Sequence, residues 1–169
     1  MSQDPARLRE ICLSLLEENR IMTLATFGED GPWAAPVIYA WETHSTSIAL
    51  YFMSRLSTRH VRHCLDAPRV AVAIHPNETR PLRGLQAEGR VEMLRGKEAL
   101  RVIRIYIRRF PRAKKRFSIP AVLEESLDLR FFRFLPERIF VLSEKHFGWG
   151  NRYLLELPTG AVSQAAGWD

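Results

Sequence analysis

A segment near residue 55 concentrates hydroxyl and cationic side chains. The stretch Tyr51-Phe52-Met53-Ser54-Arg55-Leu56-Ser57-Thr58-Arg59-His60 joins the end of an expected strand to the start of an expected helix. The first turn of a helix has free N–H groups and the positive end of the dipole, and both favour anions. Ser54, Thr58, Arg59 and His60 add donors and charge, so the segment predicts a phosphate site. A simpler interpretation stays open, in which Ser57 or Thr58 only caps the helix and the arginines are solvated.

A second group of cations lies in the Arg-rich segment 100–116. Its members are Arg101, Arg104, Arg108, Arg109, Arg112, Lys114, Lys115 and Arg116. Leu100, Ile103, Ile107 and Phe110 recur beside them at helical spacing, which predicts a basic amphipathic helix. Such a helix can bind nucleic acid or an anionic membrane surface, or it can simply expose a solvated face over a core. Because no base-stacking aromatics alternate with the cations, we predict no specific nucleic-acid binding. We expect no membrane partner either.

Other patterns that carry chemistry are weak or missing. His60 and His63 are three residues apart, but no acidic ligand stands near them, so we predict no metal site. No P-loop, nucleophile elbow or GxGxxG pattern occurs, and the catalytic residues stay unknown. His146 is a candidate haem ligand, although a surface position is the simpler interpretation. Cys12 and Cys64 are far apart and fit free thiols in a reducing, cytoplasmic compartment.

The composition is that of an ordinary folded protein. The chain has 169 residues, of which 46% are hydrophobic and 26% charged, enough for one sizeable core. No apolar run reaches the roughly 18 to 20 residues of a membrane span, and the polar N-terminus lacks the apolar core of a secretory signal. The net charge of +6 permits an anionic partner without naming one.

The hydrophobic spacing predicts short strands joined mostly by turns. We expect helices over residues 5–19, 57–66 and 96–110, a further helical piece through Lys115, and strands over residues 21–27, 33–41, 48–53, 70–75, 82–94, 127–142 and 153–157. Pro36 indicates a strand edge or a bulge, and Pro136 indicates an edge or a turn. Gly84 and Gly89 indicate bulges or close backbone approaches. The expected fold is mainly β with helices (α+β): a small antiparallel barrel of six or seven strands with peripheral helices.

The order of these motifs resembles the pyridoxamine 5′-phosphate oxidase-related, FMN-binding split-barrel superfamily. The resemblance covers about residues 10 to 155. It rests on Ile21-Met22-Thr23-Leu24-Ala25-Thr26, Ala34-Ala35-Pro36-Val37, Tyr51-Phe52-Met53-Ser54 with Thr58-Arg59-His60, Pro68-Arg69-Val70-Ala71-Val72 and Leu85-Gln86-Ala87-Glu88-Gly89-Arg90-Val91-Glu92. Arg108-Arg109-Phe110-Pro111 and Phe147-Gly148-Trp149-Gly150 most resemble an uncharacterised bacterial subgroup.

The resemblance implies one split-barrel domain over residues 1–157, and the small, polar composition of residues 158–169 predicts a flexible tail. It also implies FMN as cofactor, a homodimer, and flavin-dependent oxidoreductase chemistry on an unknown small-molecule substrate. The implied cofactor-binding residues are Ala35, Pro36, Val37 and Met53 at the ring or ribityl chain, Ser54, Thr58, Arg59 and His60 at the phosphate, and Trp149 closing over the ring from a partner subunit. Trp149 is alternatively an aromatic plug at a barrel corner.

Three positions depart from the family pattern. Ala34 and Tyr39 stand where characterised oxidases carry basic residues, and His60 replaces a lysine of the phosphate motif. The Arg-x-His element of pyridoxamine phosphate oxidases is not visible around Trp149 to Arg152, so that activity itself is not expected. A flavin- or haem-binding protein without turnover and a basic nucleic-acid-binding module are the two alternatives.

Overall fold

The structure is a computed structural model, and it describes residues 4–112 and 128–157. The elements in chain order are α1 (Pro5–Glu18), β1 (Ile21–Gly28), β2 (Gly31–His44), β3 (Ser47–Arg55), α2 (Arg59–Asp66), β4 (Arg69–Ile74), β5 (Arg83–Met93), α3 (Gly96–Arg109), β6 (Leu129–Ser143), α4 (Glu144–Phe147) and β7 (Arg152–Leu155). The predicted fold class is confirmed, because the strands form one antiparallel sheet with helices around it. The expected helical piece through Lys115 and the expected tail over residues 158–169 lie wholly or largely outside the described residues.

The sheet closes into a barrel. Its strand order is β3-β2-β1-β4-β5-β6-β7, and β3 also pairs with β6, which joins the two sides of a six-stranded ring. β7 extends the sheet by pairing with the second half of β6. Alternating apolar residues on the strands fill the interior, and the buried face of α1, formed by Leu8, Cys12, Leu15 and Leu16, joins that core.

The barrel is split between β2 and β3. These strands pair only from Tyr39 to His44 on β2 and from Ser47 to Phe52 on β3. Beyond that point, β2 continues on β1 alone, from Ile38 back to Gly31. β3 continues on β6, where Arg55 pairs with Leu129. Two strand edges therefore face an opening, and the chain enters α2 beside it.

The structure confirms some of the predictions made for prolines and glycines in the strands and contradicts others. Pro36 pairs with Thr23 in an uninterrupted register, so the edge expected there is confirmed and the alternative of a bulge is wrong. Pro136 was expected at an edge or in a turn. It lies inside β6, so the turn is wrong, and it lies beyond Phe134, the last residue of β6 that pairs with β3, which agrees with an edge. A bulge lies opposite Gly89, with Glu137 of β6 as its extra residue. The close backbone approach expected at Gly89 is confirmed, because a Cβ there would approach the Leu135 carbonyl oxygen to 2.1 Å.

Helix α3 packs on the outside of the barrel and uses several of its arginines to hold the fold. Arg101 pairs with Glu42 at 2.6 Å, and Arg109 donates to the last carbonyls of α1. Arg104 and Arg108 are exposed on the same helix. Lys114, Lys115 and Arg116 lie outside the described residues. Among the described residues, no helix is both long and apolar enough to cross a bilayer.

Candidate functional site

Three of the predicted phosphate residues meet beside the split. The Ser54 hydroxyl is 2.7 Å from His60 Nε2 and 3.2 Å from Thr58 Oγ1, and the Thr58 hydroxyl is 3.3 Å from the same imidazole nitrogen. Ser54 is buried at the end of β3, while Thr58 and His60 belong to the first turn of α2. The expectation that these side chains form one polar cluster agrees with this arrangement.

The first turn of α2 retains unused backbone donors. Thr58 is the N-cap, but its hydroxyl makes no capping bond and donates instead to the Arg55 carbonyl at 2.8 Å. The first helical bond runs from the Arg62 N–H to the Thr58 carbonyl. The N–H groups of Arg59, His60 and Val61 precede it and have no acceptor within the helix. The turn is therefore a local donor set for an anion.

Arg59 extends toward the β1–β2 turn. Its Nε lies 2.9 Å from a carboxylate oxygen of Asp30, and its Nη2 donates to the Asp30 main-chain carbonyl. The guanidinium carbon stacks 4.7 Å from the ring centroid of Trp33. The Nε–H is buried, and its contact with Asp30 is an ion pair that lacks hydrogen-bond geometry. Arg59 thus approaches the site with its charge already opposed by a carboxylate.

A buried histidine connects this turn to α2. His63 Nδ1 is 3.0 Å from Thr26 Oγ1, and His63 Nε2 is 2.5 Å from Asp30 Oδ1. The imidazole packs against Gly28, where a Cβ would come within 2.4 Å of the ring. Asp30, His63 and Thr26 thus place a carboxylate, an imidazole and a hydroxyl in a row, the arrangement that activates a nucleophilic hydroxyl in some enzymes. Thr26 is only 6% exposed, however, so the set is a structural tie rather than an attacking group.

A second carboxylate borders the site. Asp128 accepts from the Ser57 hydroxyl at 2.5 Å and from the Ser57 N–H at 3.2 Å, and these bonds hold the pKa of Asp128 below its usual value. Asp30, Thr26, Trp33, His63 and Asp128 were not anticipated from the sequence. The spacing of Asp30 before Gly31-Pro32 indicates only a turn, and no local pattern pairs it with a helix that begins twenty-nine residues later.

The His60 imidazole is held in its neutral form. Burial lowers its pKa from the ordinary value of 6.5, and the nearby His63 lowers it further. At neutral pH, His60 therefore offers hydrogen bonds rather than a fixed cation. Burial also raises the pKa of the Cys64 thiol on the same helix to about 12, which makes this cysteine a poor nucleophile.

The predicted ring-contacting residues lie on the two edges of the split. Ala35 and Val37 are 7% and 8% exposed, so their side chains enter the barrel and leave chiefly backbone at the edge. Pro36, between them, faces outward, and Met53 is half-buried on the opposite edge. The arrangement offers backbone groups and small apolar surfaces, the lining that a flat aromatic ring requires.

Trp149 lies apart from the other predicted residues. Ser54 pairs with Arg130 near the start of β6, whereas Trp149 follows the end of β6 in the α4–β7 turn. Its side chain is 76% exposed, so it does not plug a barrel corner in the isolated chain. Helix α4 was not expected; the sequence indicated only a glycine-rich corner from Phe147 to Gly150.

Comparison with known proteins identifies the family. The family model for pyridoxamine 5′-phosphate oxidase matches residues 8–143. The chain belongs to this family. The resemblance stated from the motifs is therefore confirmed. A UPF0306 protein from Klebsiella pneumoniae is 29% identical over 101 residues, covering 59% of this chain and 67% of that protein.

Solved structures share the fold and differ in what they bind. A heme binding protein from Mycobacterium smegmatis superposes with a TM-score of 0.64 at 21% identity, over 98% of this chain and 62% of the other. An FAD-binding protein from Mesorhizobium loti superposes with a TM-score of 0.58 at 21% identity, over 78% of this chain and 89% of the other. At such identities the likeness establishes the fold, while the ligand must be argued from this chain's own residues.

Proposed function

We propose that this member of the pyridoxamine 5′-phosphate oxidase family binds FMN in the split and is a flavin-dependent oxidoreductase. The observation that carries the proposal is the uncapped first turn of α2 beside the Ser54–Thr58–His60 cluster. Orphan N–H groups and hydroxyls at one helix start suit a phosphate. The buried Nε–H of Arg59 faces Asp30 without an aligned hydrogen bond, so a ligand oxygen that reaches it would compete with that carboxylate.

The split suits the rest of the cofactor. The strand edges at Ala35–Val37 and at Met53 offer backbone groups and apolar surface on either side of the opening. A bound flavin would supply the redox step, and the protein would supply binding, orientation and exclusion of competing reactions. The neutral His60 and the paired Arg59 leave less fixed positive charge than a lysine-containing site, so we expect modest FMN affinity.

The test compares FMN with riboflavin, which lacks the phosphate, by quenching of flavin fluorescence. FMN should bind the parent more tightly than riboflavin. Arg59→Ala should weaken FMN about tenfold, the low end of the range for one charged hydrogen bond, because Asp30 already offsets part of the Arg59 charge. Riboflavin affinity should change little. Arg69→Ala, which removes an exposed cation paired with Glu137, is the control.

Three results would count against the proposal. Equal affinity for riboflavin and FMN would remove the phosphate assignment. A Soret band in the purified protein would favour the haem-binding alternative, in keeping with the M. smegmatis neighbour. Bound flavin that no reduced nicotinamide nucleotide reduces would favour passive binding over turnover.

We further propose a homodimer, formed through the outer face of β1, β2 and β4. Ile21 and Ile38 are cross-strand neighbours that are 54% and 50% exposed, and Phe27 on the same face is 68% exposed. Beside them, a shallow cavity of about 340 Å³ is lined mostly by small side chains such as Ala25 and Ala71. An apolar face of this kind is typical of a contact between two copies of a chain.

A dimer would also give Trp149 a role. Since Trp149 lies beyond the far end of β6 from Ser54, it reaches a split most readily from a second subunit. Sedimentation should give a dimer at micromolar concentration, and Ala71→Arg should give a monomer of 19.5 kDa. Ala6→Arg, at an exposed position on α1, should leave the dimer intact. A monomeric parent protein would contradict the proposal.

A further inference from the structure

Asp30 links the β1–β2 turn to α2 through two different partners. One carboxylate oxygen lies 2.5 Å from His63 Nε2, and the other lies 2.9 Å from Arg59 Nε. The main-chain carbonyls of Asp30 and Gly31 accept from the Arg59 guanidinium as well. A single turn residue therefore contacts the first and the fifth residues of the helix whose N-terminus borders the split.

The position of the Asp30 carboxylate is set by a buried side chain of α2. His63 is 4% exposed, and its other ring nitrogen is held by Thr26 at 3.0 Å. Gly28 allows the imidazole to sit this close, because a Cβ would come within 2.4 Å of the ring. The hydrogen bond from His63 also holds the pKa of Asp30 below its ordinary value, so the group stays ionised near neutral pH.

Arg59 is consequently occupied before any ligand arrives. Its guanidinium is held against Asp30 on one side and the Trp33 ring on another. The Arg59 side chain is only 26% exposed, while Asp30 is 50% exposed. A phosphate that takes a bond from Arg59 must share that cation with a carboxylate fixed beside it, and two anions beside one cation repel each other.

We propose that Asp30 is a specificity-determining residue that competes with the ligand phosphate for Arg59. It lowers the preference of the split for phosphate-bearing over phosphate-free flavins. The inference rests on the proposed FMN site and deepens it. It assigns the degree to which the site prefers FMN over riboflavin to a residue of the β1–β2 turn. Asp30 acts through Arg59 and does not itself hold the flavin.

The decisive variant is Asp30→Asn. The asparagine carbonyl can still accept from His63, so the tie to Thr26 persists while the negative charge is lost. FMN should bind about three- to tenfold more tightly, the scale of one partly exposed ion pair, and riboflavin affinity should not change. Glu29→Gln is the matched control: it removes the same charge from the neighbouring exposed position and should leave FMN affinity within twofold of the parent.

A double-variant cycle separates competition from simple positioning. If Asp30 acts through Arg59, the gain from Asp30→Asn should vanish in an Arg59→Ala background. Weaker FMN binding in Asp30→Asn would show that Asp30 positions Arg59, and this would overturn the inference. An equal gain in Glu29→Gln, or a gain that survives without Arg59, would also overturn it.

The same measurements distinguish failure of this inference from failure of the proposed function. If Asp30→Asn is poorly folded by circular dichroism, Asp30→Ser, a residue favoured in turns, takes its place with the same expected gain. If the parent protein binds FMN but neither variant gains affinity, only the competition is wrong. If neither the parent nor the variants bind FMN, the proposed function fails and the inference fails with it.

Discussion

Arg109 should contribute far more to stability than its neighbours in the Arg-rich segment. Its side chain is 9% exposed, and its Nη2 donates to the carbonyls of Leu16, Glu17 and Asn19 at 2.7, 3.1 and 2.7 Å. These carbonyls lie at or just beyond the end of α1, where helical acceptors lack partners. Its Nη1 also lies 2.7 Å from the Glu17 carboxylate, which is largely exposed and adds little. Arg109 therefore caps α1 from α3.

The magnitude follows from these contacts. Bonds from a charged donor contribute about 1.5 to 3 kcal/mol each when well aligned, but here one guanidinium divides among three carbonyls. Removing it takes a charged donor from all three carbonyls; the Leu16 carbonyl keeps a bond from the Tyr39 hydroxyl and the Glu17 carbonyl keeps one from Arg20. We expect Arg109→Ala to lower the free energy of unfolding by about 3 kcal/mol, which for a chain of this length lowers Tm by about 10 °C. Arg109→Lys should recover only part of this, because an ammonium group cannot span the same acceptors.

Thermal and urea unfolding, followed by circular dichroism, measure the effect. Arg108→Ala is the matched control, since Arg108 is the preceding residue of the same helix and is exposed. It should change the free energy of unfolding by less than about 0.5 kcal/mol. If Arg109→Ala and Arg108→Ala have equal stability, the capping role is refuted.

Three further predictions concern the barrel, the histidine and the basic helix. Gly89→Ala should lower the free energy of unfolding by about 3 kcal/mol in urea titrations, because the new Cβ meets the Leu135 carbonyl oxygen and this backbone cannot easily move. A loss below about 0.5 kcal/mol would contradict this. The pKa of His60 in the folded state lies below 6.5, so the unfolded chain binds a proton first and the free energy of unfolding falls as the pH drops below about 6.5. His60→Gln should therefore make the free energy of unfolding less sensitive to acid between about pH 7.5 and 5. Identical pH profiles for the two proteins would count against this. Exposed Arg104 and Arg108 should give only weak, salt-dependent binding of duplex DNA in anisotropy titrations, whereas a strong preference for one sequence at physiological salt would overturn that expectation.

The sequence determined most of the element types and brought Ser54, Thr58 and His60 together at the start of α2. Alternating apolar residues predicted the strands, and Asp4-Pro5 predicted the start of α1, where Asp4 accepts from the Ala6 N–H at 3.0 Å. The run from Ser54 to His60 predicted a polar cluster because strand end, turn and helix start are adjacent in the chain. These features depend on the spacing of residues that are close together in the chain, and this spacing can be read directly from a single sequence.

Only the tertiary structure decided how the cations are used. The Arg-rich segment predicted one basic face, yet Arg101 and Arg109 bind partners on β2 and α1, whereas Arg104 and Arg108 remain exposed. Asp30 and Arg59 lie twenty-nine residues apart in sequence, and the packing of α2 against the β1–β2 turn brings them together. Charge type can be read from a sequence, but charge pairing depends on strand register and helix packing, which position side chains from distant segments within a few ångströms.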